Sequence, residues 1–356
     1  MNITKVSIWV EDFELSRPYE VTYVRHESVQ NYVLRIETQS KQGLGTGCPS
    51  IHVTGESIST DIQALQEKLR SLLIGHDIRS FQSLIYDCAH HFHDRPAILA
   101  TIDMALHDLF CNEIGIHIST YLGVKIKPLP TSITIGIKSL EETLEEGREY
   151  VERGFERIKL KIGTNYDIDL ERYTKLREAT PSNILIRVDA NQGFTTDQLL
   201  EYIDSTSDSP VEFFEQPLNK GDYALMKPLS ESVRNQCAGD EDCQTMNDAL
   251  QLVEEPMPYG IFNIKLMKCG GIMEARRISD VATNKNIDLM WGCMDESCIS
   301  ISAALNIAYA CPKTKYIDLD GSFDLARDIA SGGFILKDGV LYPDMTKTGL
   351  SVDLIK

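Results

Sequence analysis

Residues 157–193 read RIKLKIGTNYDIDLERYTKLREATPSNILIRVDANQG and contain, in succession, a strand, an amphipathic helix and a second strand. In the first strand, RIKLKI, basic and apolar side chains alternate, so Lys159 and Lys161 share one face. The second strand, ILIRVDA, is a short apolar run that carries Asp189 near its end. A strand, a helix and a strand at this spacing predict one parallel βαβ unit.

The same unit recurs along the chain. Short apolar strands alternate with helical segments, and the eight predicted strands are SITIGI, RIKLKI, ILIRVDA, VEFFEQPL, QCAGDEDC, GIFNIKLMK, IDLMWGC and YIDLD. Seven predicted helices separate them, and eight such strands predict a closed α/β barrel. An open doubly wound sheet is the alternative, but it usually needs fewer strands and a glycine-rich phosphate turn, which this sequence lacks.

The regions on either side of the predicted barrel have a different pattern. Residues 1–125 indicate an α+β domain, in which strands such as TKVSIWVEDFEL precede helical segments such as RPAILATIDMALHDLF. Residues 126–320 contain the barrel units. Residues 321–356 are glycine-rich and strand-like, and we expect this C-terminal segment to fold back against the first domain.

Composition excludes several classes of partner. The chain has 356 residues, a hydrophobic fraction of 42% and a formal net charge of −18, which argues against nucleic acid or an anionic membrane surface as partner. No apolar run approaches the ~18 residues of a membrane span, and the start MNITKVSIWVEDFEL is unlike a signal peptide. Nine cysteines without metal-type CxxC pairs favour reduced thiols. We therefore expect a cytoplasmic protein.

Four polar residues lie at the ends of consecutive predicted strands: Asp189, Glu215, Asp240 and Lys265, at separations of 26, 25 and 25 residues. One βα unit has about this length, so the four side chains occupy equivalent places and converge on the mouth of the barrel. Three carboxylates together would repel one another. A divalent cation resolves this, and all-oxygen ligation suits Mg²⁺, with Mn²⁺ as a plausible substitute.

The lysines suggest acid–base chemistry. Lys159 and Lys161 end the second strand, and Lys265 lies four strands further round, on the opposite side of the mouth. We expect the crowding of Lys159 and Lys161 to lower the pKa of one of them and so create a base. A base, a cation and an opposed lysine suit removal of a proton α to a carboxylate, with the enediolate stabilised by the cation and the proton returned with inversion.

Ordinary structural roles are the alternative for each residue taken singly. A KxK pair on a strand is usually a solvated face, and an acidic residue at a strand end is often a helix N-cap. We expect Asp197 and Asp242 to be such surface or capping residues. Lys268 follows Lys265 by three residues, and the strand alternation predicts that it faces away from the barrel interior.

The chain resembles the enolase superfamily, specifically its muconate-lactonizing-enzyme subgroup. The resemblance is carried by ATIDMALHDL, KLKIG, RVDANQG, FFEQPL, GDED and NIKLMKCGGI and covers nearly the whole length. It implies an α+β capping domain over a (β/α)₇β barrel. It also implies that Asp189, Glu215 and Asp240 bind Mg²⁺, that Lys161 and Lys265 are the two acid/base residues, and that Lys159 assists electrostatically. Homo-oligomerisation is likewise implied by the family.

The last predicted strand, YIDLDGSF, narrows the resemblance to dipeptide epimerases. These enzymes carry a DxD here, at Asp318 and Asp320 of this chain, which binds the α-ammonium group of the substrate. PSIHVTGES, SITIG and GCMDES are also similar to that group. The resulting candidates for substrate binding are Asp318, Asp320, Thr134, Arg25, Asp295 and Lys159. A muconate cycloisomerase or an o-succinylbenzoate synthase is the alternative activity within the subgroup, and a non-catalytic barrel is the alternative outside it.

Side-chain specificity is the least determined feature. Arg25 lies in the early segment after SRPYE and could pair with an acidic second residue, as in the L-Ala-D/L-Glu epimerases of murein peptide recycling. Asp295, at the end of the seventh predicted strand, would instead disfavour an anionic side chain and favour a cationic one. We favour L-Ala-D/L-Glu as the substrate and leave cationic or hydrophobic dipeptides as alternatives.

Overall fold

The computed structural model describes residues 1–21 and 24–355, with the side chains of residues 19–26 outside the description. The N-terminal region contains an antiparallel sheet of β1 (Lys5–Val21), β2 (Val24–Glu37) and β3 (Gln42–Gly47). Four helices follow it: α1 (Ile62–Leu73), α2 (Phe81–His91), α3 (Pro96–Ile114) and α4 (Ile118–Leu122). Together they form a two-layer α+β cap.

Glycines let the sheet of the cap approach helix α3 closely. Gly43, Gly45 and Gly47 alternate along β3, so they share one face of the strand. A Cβ atom at Gly45 would lie 2.0 Å from the backbone oxygen of Thr101, and one at Gly43 would lie 2.2 Å from that of Ala105. Only glycine allows this contact, which places α3 between the sheet and the barrel.

An eight-stranded parallel sheet forms the second region. Its strands, in chain order, are β4 (Ile133–Ile135), β5 (Arg157–Lys161), β6 (Leu185–Asp189), β7 (Phe214–Glu215), β8 (Cys237–Gly239), β9 (Ile261–Ile264), β10 (Asp288–Trp291) and β11 (Thr314–Ile317). A parallel bridge between Thr131 and Ile317 joins the two ends of the sheet. The predicted (β/α)₇β barrel is therefore confirmed.

Helices connect consecutive strands on the outside of the barrel. They are α5 (Leu140–Glu152), α6 (Tyr166–Ala179), α7 (Thr196–Ser205), α8 (Glu231–Asn235), α9 (Met246–Leu252), α10 (Leu266–Cys269), α11 (Ile272–Asn284) and α12 (Cys298–Ala310). Side-chain caps define several starts. Ser139 with Glu142 and Thr195 with Gln198 form reciprocal capping boxes, which satisfy amides that the first turn leaves without partners.

The C-terminal segment contains β12 (Ala330–Gly332), β13 (Phe334–Lys337), β14 (Val340–Pro343) and β15 (Val352–Leu354). It returns to the cap, because the amide of Leu350 donates to Asp108 of α3 at 2.7 Å. Asp108 also accepts from the amide of Leu44 in β3 at 2.9 Å, so one carboxylate joins three regions of the chain. The boundaries after residues 125 and 320 remain predictions. Among the described residues, no helix is both long and apolar enough to cross a membrane.

Candidate active site

A cavity of about 540 Å³ lies between the cap and the mouth of the barrel. The barrel contributes side chains from the carboxyl ends of its strands, including Lys161, Lys265 and Asp320. The cap contributes Val29 of β2 and the loop after β3, residues 48–53 and 56–58. The cavity is therefore at the end of an α/β barrel where catalytic groups of such barrels lie.

The three predicted carboxylates are side by side at this mouth. Asp189 ends β6, Glu215 ends β7, and Asp240 directly follows β8. The strand register pairs Asp189 with Lys161 of β5 on one side and with Glu215 on the other. All three carboxylates are buried. Because neighbouring parallel strands are in register, carboxylates that are about one βα unit apart along the chain lie side by side.

Lysine ammonium groups hold this cluster from both sides. Lys159 Nζ lies 3.0 Å from Asp189 Oδ2, 2.8 Å from Glu215 Oε2 and 2.8 Å from Asp318 Oδ2. Lys161 Nζ donates to Asp189 Oδ2 at 2.7 Å. On the other side, Lys265 Nζ donates to Asp240 Oδ2 at 2.7 Å. The structure therefore brings the predicted acidic residues and all three predicted lysines together.

The three carboxyl groups differ in the direction in which their pKa is shifted. Burial raises the pKa of Asp189, but the ammonium groups of Lys161 and Lys159 outweigh burial and bring it to about 2. Glu215 has fewer compensating partners, and burial together with Asp189 and Asp240 raises its pKa to about 7. Burial also opposes ionisation of Asp240, yet Lys265 and Lys268 lower its pKa well below the usual range.

Crowding does not lower the pKa of Lys159, one of the two lysines for which the sequence predicted such a lowering. Burial alone would lower the pKa of Lys159, but Asp318, Glu215 and Asp189 raise it well above its ordinary value. For Lys265, burial is likewise outweighed by Asp240 and Glu215, and the pKa is raised. Carboxylate oxygens lie 2.7–3.0 Å from these ammonium groups, and their attraction outweighs the cost of burial.

The donor set fits a hard divalent cation. Among the side chains that the structure describes, no three acidic, histidine or cysteine residues form a ready-made metal site. Nevertheless, Asp189, Glu215 and Asp240 supply only oxygen donors from three adjacent strands, which is the chemistry that Mg²⁺ prefers. Next to them, Glu241 Oε2 is buried and accepts no hydrogen bond among the described residues.

The two aspartates of the DxD pair follow β11 and line the same cavity. Asp318 Oδ2 accepts from Lys159, and its Oδ1 accepts from the hydroxyl of Ser132. Asp320 Oδ2 accepts from the backbone amide of Thr134 at 2.8 Å. Burial, Asp318 and Asp324 raise the pKa of Asp320 to about 7. The predicted DxD and Thr134 thus share one contact region beside the lysines.

The prediction that Lys268 faces away from the barrel interior is wrong. Its ammonium group is fully buried and donates to Asp240 Oδ1 at 2.5 Å and to three backbone oxygens, those of Asp240, Asn263 and Cys243. The strand ends before Lys265, which is the N-cap of α10. Helical geometry therefore applies, and a residue three positions later returns to the same side.

Asp242 is also not the surface or capping residue that we predicted. It is buried and accepts from Gln216 Nε2 at 2.9 Å, from the Tyr259 hydroxyl at 2.8 Å and from the amide of Gly221 at 2.7 Å. It fixes the loops behind the carboxylate cluster. Asp197, by contrast, is exposed in the first turn of α7.

Two side-chain amides that contact the lysines and carboxylates were not predicted from the sequence. Asn191 Oδ1 accepts from Lys161 Nζ at 2.9 Å, and Asn263 Nδ2 donates to Glu215 Oε1 at 2.8 Å. Asn263 precedes Lys265 by two residues in β9, so the same alternation that we applied to Lys159 and Lys161 could have identified it. Asn191 follows Asp189 in the RVDANQG motif, with a positive φ of 40° that no alternation pattern indicates.

Of the two residues predicted to determine side-chain specificity, the structure describes the side chain of one. Asp295 lines the cavity, and its backbone oxygen accepts from Asn31 Nδ2 of β2 at 3.1 Å. The side chain of Arg25 lies outside the described residues. A further carboxylate, Asp324, also lines the cavity, and burial together with Asp295 raises its pKa to about 6.

Comparison with known protein families gives a match over most of the barrel. Residues 142–356 match the family described as enolase C-terminal domain-like. The match begins in α5 and extends through the C-terminal segment. It therefore includes all the strand ends from β5 onward that carry the lysines and carboxylates described above.

Three similar proteins extend the likeness to the whole chain. An L-Lys-D/L-Arg epimerase of Desulforapulum autotrophicum is 46% identical over 340 residues, which cover 95% of this chain and 96% of that protein. A dipeptide epimerase of Methylococcus capsulatus, solved with Mg and L-Arg-D-Lys, has a TM-score of 0.96 and 43% identity, with 99% of each chain covered. An L-Ala-D/L-Glu epimerase of Thermotoga maritima is 29% identical over 341 residues, covering 95% of this chain and 97% of that protein.

Proposed function

The chain belongs to the enolase C-terminal domain-like family, and from that premise we propose that it is a Mg²⁺-dependent dipeptide epimerase that prefers cationic side chains. It inverts the α-carbon of the C-terminal residue of a dipeptide. The observation that carries this proposal is that one cavity is lined by Lys161 and Lys265, by the DxD pair and by Asp240 of the carboxylate cluster.

The cation would be held by Asp189, Glu215 and Asp240. Its chemistry there is that of a Lewis acid, which draws negative charge away from the substrate carboxylate and so acidifies the α-proton. These carboxylates are buried and adjacent, and their mutual repulsion has to be compensated by positive charge. In this structure the lysines provide that compensation.

Lys161 and Lys265 are the proposed acid and base. They reach the cavity from β5 and from the end of β9, four strands apart, so one can remove the α-proton and the other can return a proton to the opposite face.

Lys159 and the DxD pair would fix the ends of the dipeptide. Lys159 is the most enclosed of the three lysines and supplies a fixed positive charge near the substrate carboxylate. Asp318 and Asp320 would accept the α-ammonium group of the N-terminal residue. Binding both ends holds the α-carbon of the second residue between the two lysines, which is the positioning that proton transfer needs.

The charge of the cavity supports cationic substrates. Among its described lining residues, nine are acidic and five are lysine or arginine. Two of the basic residues have acidic partners outside the reaction centre: Arg17 pairs with Glu149 at 2.6 Å, and Lys138 pairs with Glu146 at 2.5 Å. Acidic residues therefore outnumber basic ones among the described lining residues, and this supports a preference for cationic side chains over glutamate.

Two relatives support the same preference. The Desulforapulum protein is named an L-Lys-D/L-Arg epimerase, and the Methylococcus structure contains L-Arg-D-Lys. The L-Ala-D/L-Glu activity that the sequence analysis favoured is the second candidate, supported by the Thermotoga relative at lower identity. It depends on Arg25, whose side chain is outside the described residues.

Proton–deuterium exchange tests the activity and the specificity together. The Mg²⁺-loaded protein is incubated in D₂O with L-Lys-L-Lys, L-Ala-L-Glu and L-Leu-L-Leu, and mass spectrometry follows deuterium at the α-carbon of the second residue. We expect kcat/KM for L-Lys-L-Lys to exceed that for L-Ala-L-Glu by at least about a hundredfold, since two additional favourable charge contacts each contribute about tenfold. No exchange with any dipeptide would overturn the proposed function.

Variants of the two lysines test the mechanism. Lys161→Ala and Lys265→Ala are each expected to lower the epimerisation rate by at least about 10²–10⁴-fold, because each removes one of the two proton-transfer groups. Lys125→Ala, remote from the cavity, is the control. Retention of activity in both cavity variants would contradict the two-base mechanism.

A further inference from the structure

We propose that Arg187 and Ser132 are positioning residues that hold Asp318 ready for the substrate's α-ammonium group. The inference rests on the proposed function, in which Asp318 and Asp320 bind that group. Neither Arg187 nor Ser132 lines the cavity, and both act through Asp318 from the interior of the barrel.

Arg187 lies between the apolar floor of the barrel and its polar upper layer. The floor is a small buried cluster of Phe213, Ala238, Ile261 and Met290, with Tyr316 packed against it. The guanidinium carbon of Arg187 lies 4.9 Å from the ring centre of Phe213 and 5.6 Å from that of Tyr316. A planar cation that stacks on aromatic rings thus lies in the barrel interior, and its Nη1 is the group that donates toward Ser132.

The contacts of Arg187 direct one N–H group toward Ser132. Its Nε donates to Glu212 Oε2 at 3.0 Å, which balances the buried charge. Its Nη1 donates to the backbone oxygen of Ile317 at 3.1 Å and to Ser132 Oγ at 3.3 Å. Arg187 has a relative exposure of 1%, so these bonds are protected from solvent.

The direction of the next hydrogen bond follows from donor chemistry. A guanidinium group has no acceptor, so Ser132 Oγ must accept from Arg187 and can only donate its single hydrogen elsewhere. The oxygen in contact is Asp318 Oδ1. The relay from Arg187 through Ser132 therefore ends at a carboxylate oxygen that has to be unprotonated, and Lys159 occupies the other oxygen, Oδ2.

The two aspartates of the DxD pair therefore differ in their hydrogen-bond donors and in their pKa values. Asp318 has a lysine and a polarised hydroxyl as donors, and with Lys159 and Arg187 outweighing the cost of burial its pKa is lowered. Asp320 receives a backbone amide and a weak thiol contact from Cys293 at 3.8 Å. Lys159 is also shared with Asp189 and Glu215, so Ser132 is the donor dedicated to Asp318.

A purely structural role is the competing explanation. Arg187 and Ser132 also lie at the seam where the barrel closes, since the Ser132 amide donates to the oxygen of Ile317 at 3.2 Å. Loss of the seam would destabilise the fold and affect all ligands alike. A positioning role for Asp318 predicts instead a loss that is selective for ligands with an α-ammonium group.

Ser132→Ala tests this prediction in the Mg²⁺-loaded enzyme. We measure KM for L-Lys-L-Lys and the inhibition constant of 6-aminohexanoyl-L-lysine, which is the same dipeptide without its α-amino group. Loss of one charge-assisted hydrogen bond to Asp318 should weaken binding of the dipeptide about tenfold. Binding of the des-amino analogue and of Mg²⁺ alone should change less than about twofold.

Asp318→Asn distinguishes failure of the relay from failure of the proposed function. Asp318→Asn should show the same selectivity, and the double variant should lose no more than Asp318→Asn alone, since both changes act on one contact. If Asp318→Asn does not discriminate between dipeptide and analogue, the ammonium site itself is wrong. If Asp318→Asn discriminates but Ser132→Ala weakens both ligands equally or neither, the relay is wrong.

Two further variants complete the experiment. Arg187→Lys keeps the charge but loses the fork, and it should share the selectivity of Ser132→Ala; equal weakening of dipeptide and analogue would overturn the role of Arg187. Ser302→Ala is the matched control, because its buried hydroxyl lies within hydrogen-bond distance of the Leu350 and Gly333 oxygens, neither of which lines the cavity. A selective loss in Ser302→Ala would also overturn the proposal.

Discussion

A single lysine, Lys268, joins the loops on which Asp240 depends. Its ammonium group serves the carboxylate of Asp240 and the backbone oxygens of Asp240, Cys243 and Asn263, with no exposure of the side chain. Three N–H groups are thus shared among four acceptors inside the barrel wall. Asp240 Oδ2 consequently remains the oxygen that faces Lys265 and the cavity.

Lys268→Met should therefore be costly. Methionine fills a similar volume but removes the donor of Asp240 Oδ1 and of three backbone oxygens, and we expect a loss of about 3 kcal/mol in the free energy of unfolding. Urea denaturation measures it. Lys285→Met, at an exposed position after α11, should change stability by less than about 0.5 kcal/mol. Equal stability of the two variants would show that Lys268 is not a structural cation.

Gly292 leaves room for Lys265. A Cβ atom at Gly292 would lie 2.9 Å from Lys265 Cε and 2.8 Å from Asn263 Oδ1. Gly292→Ala should displace the lysine and lower kcat/KM by about ten- to a hundredfold with the fold intact. In D₂O exchange, the variant should slow the same substrate epimer that Lys265→Ala affects. Equal slowing of both epimers would contradict this explanation.

At the scale of elements, a loop and a helix of the cap share one buried carboxylate. Glu56 lies in the loop after β3, is 4% exposed and accepts from the amide of Ala97 in the first turn of α3 at 2.7 Å. Arg95 Nε lies 3.8 Å from its other oxygen. This contact connects the wall of the cavity to the helix that packs on the barrel.

Glu56→Gln should change the pH dependence of stability. Burial raises the pKa of Glu56 from its ordinary 4.5 to about 7, against the Ala97 amide and Arg95, which lower it. Since the unfolded chain loses this proton first, the wild type loses up to about 3 kcal/mol of stability as pH rises from 4.5 to 7. Glutamine has no proton to lose, so the wild-type advantage over Glu56→Gln should fall over this range.

Urea midpoints at pH 4.5 and 7.5 measure that difference. Glu171→Gln, at an exposed position of α6, is the control and should follow the wild-type pH profile. A constant difference between Glu56→Gln and the wild type across the range would show that Glu56 ionises normally in the folded protein.

The alternation pattern predicted which side chains share a face of a strand better than it predicted where the strand ends. Alternation placed Lys159 and Lys161 on one face, and the structure has both in the barrel interior. The same rule failed at Lys268, because the chain changes from strand to helix at Lys265. Periodicity is a property of a regular segment, and the change of conformation at its end depends on contacts that the segment does not contain.

At the scale of the whole molecule, folding brings together the three carboxylates that we propose as ligands of the cation. Asp189, Glu215 and Asp240 are separated by about one βα unit each, and only the closed barrel gathers them. A ligand that binds only the folded state stabilises it by mass action. The dependence of stability on Mg²⁺ is therefore a test that does not require activity.

Mg²⁺ at a hundred times its dissociation constant should increase the free energy of unfolding by about 2.7 kcal/mol, and EDTA should reverse the increase. Thermal denaturation in MgCl₂ and in EDTA measures the effect. Asp189→Asn should lose it, because one of three ligands is neutralised, whereas Asp197→Asn on the surface of α7 should keep it. Equal stabilisation of both variants would place the cation elsewhere.

The eight barrel strands were accessible from local pattern, and the barrel is confirmed. It follows from side-chain periods of two and 3.6 residues and from the length of one βα unit, which are properties of consecutive residues. The family resemblance, which depended on sequence motifs, is also confirmed. The roles of the metal ligands and lysines remain predictions that the geometry supports.

Contacts between distant residues could not be derived in this way. Ser132 meets Asp318 across 186 residues, and Arg187 meets the oxygen of Ile317 across 130, because the barrel closes between β4 and β11. The pKa of Lys159 is raised rather than lowered for the same reason, since Asp318 arrives from the last strand of the barrel. Closure brings charges together through space, and no periodicity along the chain records which charges will meet.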